Sequence, residues 1–469
     1  MSAILWHSNA PWTPTGYGRC GRWLAAGLAQ NGHRVGYIAN SGFYNGRMRL
    51  DGFDLYGGSP GGFSEVDTID LMDREKYDFL CTQYDVFTFN ALVNELVKNR
   101  PWWNRRAWIP YVPLDAHTIF PDILQKLQYA SYVVAMCEHG KRLLDRAAKL
   151  GGSFGVLGKS RAIYHGVDTA TYKPAVELAA DFITESTAPV NSLPALRDHL
   201  TPTLAKSLLR ETVGMADVDF LVSMVGYNRG QRKQIPEQME AVQVFARANP
   251  DTRIGFYLHT DTQSGDGYNI GGIAQMLGLN EIPNLVMKTP PSLVYRNGYD
   301  DLEMARLLAA SDVVLHVSAS EGFGMVIAEA QAAGTPVIAA NNTAMTELLE
   351  PTPELLVGGL EANEDGSTYP TEPSFWVPNS PRSYWLANRA GVVEKLQLVL
   401  DADEERRRRW SQDLRAWAVK KYDWKEVIIP QWLDLFKDLE VQVEEECRRR
   451  PPPAEELVKA SKVLEEELA

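Results

Sequence analysis

The sequence predicts an α/β fold built from two successive parallel-sheet domains. Three observations carry that prediction. Short apolar runs alternate with segments of helical period from the first residues onward, the rhythm breaks once near residues 175–205 before restarting, and 469 residues exceed what one ordinary core organises. Hydrophobic residues make up 45% of the chain and charged residues 23%, the composition of a globular protein and not of a disordered or membrane chain.

The first domain opens with AILWH (3–7), the helix-like YGRCGRWLAAGLAQNG (17–32) and HRVGYIA (33–39), a βαβ rhythm. It continues through YDFLCTQ (77–83), RAWIPYV (106–112) and ASYVVAM (130–136), and closes near RAIYHGVDTATYKP (161–174), which gives a domain over 1–174. Residues 175–205 contain the turn-rich STAPVNSLP and read as a linker with a helical insertion. The second domain, 206–419, repeats the pattern with DFLVSMVG (219–226), PEQMEAVQVFARAN (236–249), TRIGFYLH (252–259), NLVMK (284–288), SDVVLHVS (311–318) and TPVIAA (335–340). After the segment 420–439, residues 440–469 are dense in charge. Pro451 to Pro453 interrupt any helix there, and Leu457, Val458, Val463 and Leu464 mark a short amphipathic one, either a solvated tail helix or an oligomerisation element.

Charge and cysteine usage exclude several function classes. A formal charge of −13 argues against a bulk electrostatic grip on nucleic acid. Cys20, Cys81, Cys137 and Cys447 are scattered without a CxxC pair, so neither a disulfide framework nor a zinc site is predicted. No apolar run reaches 18 residues and the N-terminus has no basic leader, so a cytoplasmic protein without a transmembrane segment is expected.

The chemistry concentrates in SASEGFGMVIAEAQAAGTPVIA, which starts at Ser318. An apolar strand must turn sharply there before the helix-like MVIAEAQAAG, and Gly322 and Gly324 supply the turn. Without Cβ atoms they let a ligand approach the backbone, and the free N–H groups at the helix start form an anion site suited to a diphosphate. Glu321 and Glu329 stand roughly 12 Å apart along such a helix, and carboxylates accept hydrogen bonds from paired hydroxyls. Amides for phosphate and two carboxylates for sugars suit a nucleotide sugar. The plainer alternative is a dipole-favoured carboxylate at a helix start and a surface glutamate.

The stretch EGFGMVIAEAQAAGTPVIA resembles the E-x7-E motif of retaining glycosyltransferases of the GT-B fold, in particular glycosyltransferase family 4. That resemblance covers most of residues 1–439 and is strongest in the second domain. It implies two Rossmann-like doubly wound domains facing a central cleft, with KKYDWKEVIIPQWLDLF as a helix crossing back to the first domain, anchored by Trp424 and Trp432. It also implies that Glu321 and the amides of Gly322, Phe323 and Gly324 hold the sugar and phosphates, and that Glu329 binds the ribose.

VGYNRGQRKQIPEQMEAV (225–242) resembles the loop in which a lysine and an arginine clamp the diphosphate. Lys233 falls on the lysine; Tyr227 and Asn228 stand where the arginine usually lies, so Asn228 joins the donor-binding group, and Arg229 or Arg232 supplies the cation. HSNAPWTPTGYGRCGRW resembles the glycine-rich loop against the diphosphate, with Gly16 and Gly18 as candidates and Gly-Tyr-Gly in place of Gly-Gly. In YVPLDAHTIF, Asp115, with His117 as alternative, takes the position facing the sugar; an Asp capping a helix is the plainer reading.

The implied activity is retaining transfer of a hexose from a nucleotide diphosphate sugar, a UDP- or GDP-sugar such as UDP-glucose or GDP-mannose, to an acceptor hydroxyl. Neither a metal nor a cofactor is implied, because the cationic clamp and the helix start take the metal's place. The acceptor is left open between a glycan, a lipid, a small molecule and a nucleic acid. KNRPWWNRRAW (98–108) mixes cations with tryptophans and keeps transfer to a hydroxymethylated DNA base among the alternatives, beside a non-catalytic nucleotide-sugar binding protein. EERRRRW (404–410) reads as a charged helix face.

Overall fold

The computed structural model of the chain describes residues 1–98, 107–117, 126–149, 159–185, 199–262, 265, 267–291, 298–362, 368–376 and 383–449. The stretch KNRPWWNRRAW and the tail from 450 onward therefore lie largely outside the described residues.

The first sheet comprises β1 (Ala3–Ser8), β2 (Arg34–Tyr44), β3 (Arg47–Leu50), β4 (Phe53–Gly58), β5 (Phe79–Gln83), β6 (Ala107–Val112), β7 (Val133–Ala135) and β8 (Ser160–Ala162), in the order β3-β4-β2-β1-β5-β6-β7-β8. All its described pairings are parallel except β3 with β4. In β1, Ile4 and Trp6 join one buried cluster while Ala3 and Leu5 join another, so the sheet is covered on both faces. The helix Gly16–Gln30 follows β1 and starts at Thr15, whose hydroxyl accepts the Gly18 N–H.

The second sheet comprises β9 (Phe220–Val225), β10 (Ile254–His259), β11 (Leu285–Lys288), β12 (Val313–His316), β13 (Val337–Ala340) and β14 (Leu356–Val357), all parallel, in the order β11-β10-β9-β12-β13-β14. The strand order reverses direction at β9, where β10 and β12 lie on either side, and the cleft opens beyond the carboxyl ends at such a point. Helices Ala175–Glu185 and Pro202–Thr212 pack on the helix Asp301–Ala310, and Arg306 lies over the Phe182 ring. The segment read as a linker with an insertion thus contributes helices that cover the second sheet.

The chain returns through the helices Glu404–Tyr422 and Ile429–Arg449, joined by a π-turn at 424–428. Trp432 is fully buried, with its ring 5.3 Å from Trp6 and 5.2 Å from Tyr111 of the first sheet. Gly27 permits this docking, because a Cβ there would stand 2.2 Å from Ile429 Cδ1. Beside it the outgoing and returning segments pair through a parallel bridge, Val167 with Asp423, and Trp424 lies against Gly166.

Candidate active site

The strand β12 ends at His316, and residues 317–324 form the turn before the helix Met325–Ala332. Gly324 has φ +105°, a conformation open to glycine at little cost. Gly322 is required by proximity: a Cβ would sit 2.4 Å from Cβ and 3.0 Å from Cα of Pro113, in the first-domain loop after β6. The amides of Gly322, Phe323 and Gly324 donate to no described residue. Phe323 turns its ring away, into a buried cluster with Tyr164, His165 and Tyr422.

Glu321, 6% exposed, is the centre of a charged cluster. Lys233 Nζ lies 2.5 Å from its Oε1, Arg232 Nη1 lies 2.8 Å from Oε2, and His316 Nε2 lies 3.1 Å from Oε1. The loop carrying both cations is pinned to the turn, since Ala319 N–H donates to the Arg232 carbonyl and Arg232 donates to the Ser320 carbonyl. Burial alone would raise the Glu321 carboxyl, but Arg232 and Lys233 outweigh it and hold it well below the usual carboxylate range. Burial lowers the Lys233 amine against the pull of Glu321, and burial with Lys233 lowers His316. A neutral imidazole beside an ionised carboxylate must donate through Nε2, because the carboxylate can only accept.

The first domain brings Asp115 to the same place, with Ser320 Oγ 3.4 Å from its Oδ2. The Tyr17 hydroxyl bonds Asp85 and feels both Asp115 and Arg232. Gly16 approaches Met325 Sδ closely, whereas the Gly18 N–H is engaged by Thr15. His117 lies against Trp385, ring centroids 4.1 Å apart.

Two sequence candidates stand apart from the cluster. Arg229 is exposed, and Asn228 is fully buried with its amide engaged on the scaffold: Nδ2 donates to the Asp261 and Tyr268 carbonyls and Oδ1 accepts the Tyr268 N–H. These bonds tie the loop after β9 to the loop after β10, leaving Arg232 as the arginine on Glu321.

Glu329 is 3% exposed and faces the first domain. Arg19 Nη2 stands 2.8 Å from Glu329, 2.6 Å from Asp301 and 2.8 Å from the Tyr172 hydroxyl. Burial raises the Glu329 carboxyl, with Arg19 pulling the other way. A further cross-domain contact comes from Glu347, on the helix Thr343–Leu348. It accepts the N–H groups of Glu138 at 2.9 Å and His139 at 3.0 Å, at the start of the helix Glu138–Lys149.

His316, Tyr17, Asp85 and Arg19 escaped the sequence reading. His316 had a readable signal, an ionisable residue closing an apolar strand five positions before a glutamate; Arg19 had none, because its partner lies in the other domain.

Solved structures similar in backbone share this architecture. Sucrose-phosphate synthase from Thermosynechococcus elongatus superposes with a TM-score of 0.64 at 16% identity, covering 94% of this chain and all of that one. The E. coli structure described as trehalose-6-phosphate bound with UDP-2-fluoro glucose gives 0.59 at 14% identity, covering 93% and 98%. The fold is GT-B. Within this GT-B fold, residues 294–357 match the family model described as glycosyl transferases group 1, a segment that includes Glu321, Glu329 and Glu347. A D-inositol 3-phosphate glycosyltransferase of Segniliparus rotundus is 32% identical over 139 residues, 29% of this GT-B chain. The match spans 28% of that relative's length. Among the described residues no helix is long and apolar enough to cross a membrane.

Proposed function

We propose that the chain is a retaining glycosyltransferase that moves a hexose from a nucleotide diphosphate sugar to an acceptor hydroxyl. The observation that carries this reading is the convergence of Arg232 and Lys233 on Glu321, beside the Gly322–Gly324 amides that open the helix Met325–Ala332. Two cations and a helix start beside unengaged amides suit a departing diphosphate. The group 1 match over this segment and the likeness of part of the chain to a relative named as a glycosyltransferase support it. The resemblance of the Glu321 to Glu329 stretch to the E-x7-E pattern of family 4 supports retention.

In the proposed step the bond from the anomeric carbon to the diphosphate oxygen breaks and the acceptor oxygen bonds that carbon from the same face. The acceptor's proton passes to the departing phosphate oxygen. Arg232 and Lys233 neutralise the charge that develops there, so the step is written without a metal ion. Glu321 and Asp115 accept hydrogen bonds from sugar hydroxyls, and Glu329 serves the ribose once Arg19 releases it.

The test is a panel of UDP-, GDP- and ADP-sugars, read as nucleoside diphosphate release and donor-induced thermal shift. Arg232→Ala and Lys233→Ala should each cut turnover about 100-fold or more, in line with the loss of a preorganised charge-stabilising donor. Arg229→Ala should change it by less than about threefold. Absence of both release and thermal shift across the panel would overturn the reading.

A further inference from the structure

The two cations that the proposed reaction assigns to the diphosphate rest, in this structure, on Glu321. If the diphosphate draws both away, the buried carboxylate loses its two charged partners, and a buried ionised group without donors is strongly disfavoured. One side-chain donor does not depend on the diphosphate. His316 belongs to the strand itself, paired in register with Ala339 of β13, and its ring is almost fully buried with Nε2 3.1 Å from Glu321 Oε1.

We propose that His316 is a positioning residue that keeps the Glu321 carboxylate ionised and aimed at the sugar while Arg232 and Lys233 move onto the diphosphate. The inference rests on the proposed transfer reaction. A neutral ring suits the role, since it donates one hydrogen bond without adding a third positive charge that would compete for the diphosphate. The Glu321 backbone has its own anchor, the N–H bond to Thr343 Oγ1 at 3.0 Å, which holds the main chain and leaves the carboxylate's direction to its side-chain donors.

The experiment compares the full-length wild type with His316→Leu, which fills the space without a donor, and His316→Gln, which restores an N–H. Nucleoside diphosphate affinity is measured by calorimetry, and kcat and KM for donor turnover are measured alongside. His316→Leu should bind the nucleoside diphosphate within about threefold of wild type yet lose roughly 10- to 100-fold in kcat/KM for the sugar donor, the range for losing a hydrogen bond to a charged group. His316→Gln should recover most of that loss. Wild-type turnover in His316→Leu would overturn the proposal, as would equal impairment of His316→Gln, or a loss of diphosphate binding as large as the loss of turnover. Should His316→Leu fail to fold, His316→Asn, whose shorter amide falls short of Glu321, takes its place against His316→Gln with the same outcomes. A wild type that neither binds nor turns over any nucleotide sugar refutes the transfer reaction, and this inference with it.

Discussion

Glu347→Gln tests whether the contact between the two domains is proton-linked. Burial pushes the Glu347 carboxyl up from 4.5 to about 7, against the smaller pull of Arg142 and the two N–H groups it accepts from Glu138 and His139. The folded state therefore binds a proton that the unfolded chain has released between these values. Stability from this group is fully present below pH 4.5 and is lost as the pH rises through 7. The rise from 4.5 to about 7 corresponds to about 3 kcal/mol, of which roughly 2 to 3 kcal/mol is traversed between pH 5 and pH 8. Glutamine still offers an acceptor at the helix start but does not titrate. Urea denaturation of both proteins at pH 5, 6, 7 and 8 isolates the contribution of Glu347, because the other titrating groups cancel in the difference. The variant should gain on the wild type steadily with pH, by about 2 to 3 kcal/mol across the range. Parallel pH profiles would mean that Glu347 titrates alike in the folded and unfolded chain, and a gain in the opposite direction would mean that the helix N-terminus stabilises the ionised carboxylate more than burial penalises it.

Two further outcomes follow from the interdomain contacts. Arg19→Ala leaves Glu329 buried without its cation and should lower stability by about 3 kcal/mol, and adding Glu329→Gln should restore part of that loss; additive denaturation costs would show that the pair is not coupled. Trp432→Ala removes the fully buried ring between Trp6 and Tyr111 and should cost about 3 to 5 kcal/mol, read as a lowered thermal midpoint, whereas a cost below about 1 kcal/mol would contradict the docking of that helix on the first sheet.

The central strands of both sheets were legible because each is a short apolar run between turn formers, the pattern of a strand buried on both faces. The outer edge of the first sheet was not read, although its turns are written in the sequence: Asp51-Gly52 joins the antiparallel β3 and β4 with both residues at positive φ, as a tight hairpin demands, and Asn45-Gly46 takes positive φ where the chain turns from β2 into β3. Helices Ala175–Glu185 and Pro202–Thr212 were obscured by the turn-rich residues between them. In the site, Glu321 and Lys233 were each named from their own stretch and lie 2.5 Å apart, but which of Arg229 and Arg232 sits on Glu321 depended on a loop path that Asn228 fixes through bonds to a distant strand end. Arg19 on Glu329 lay beyond any local pattern, since tertiary closure alone creates that pair.

The docking of Trp432 has a consequence for how the molecule is assembled during synthesis. The first sheet is complete in covalent terms by residue 162, yet the ring that covers Trp6 and Tyr111 is supplied only near the far end of the chain. Until that helix leaves the ribosome, the first domain carries an open apolar face while the second domain folds behind it, a period in which chaperone capture or misassembly competes with closure. The domain made first is therefore the one finished last, and a chain cut after residue 174 keeps all of its first-sheet strands but lacks the side chains that seal them.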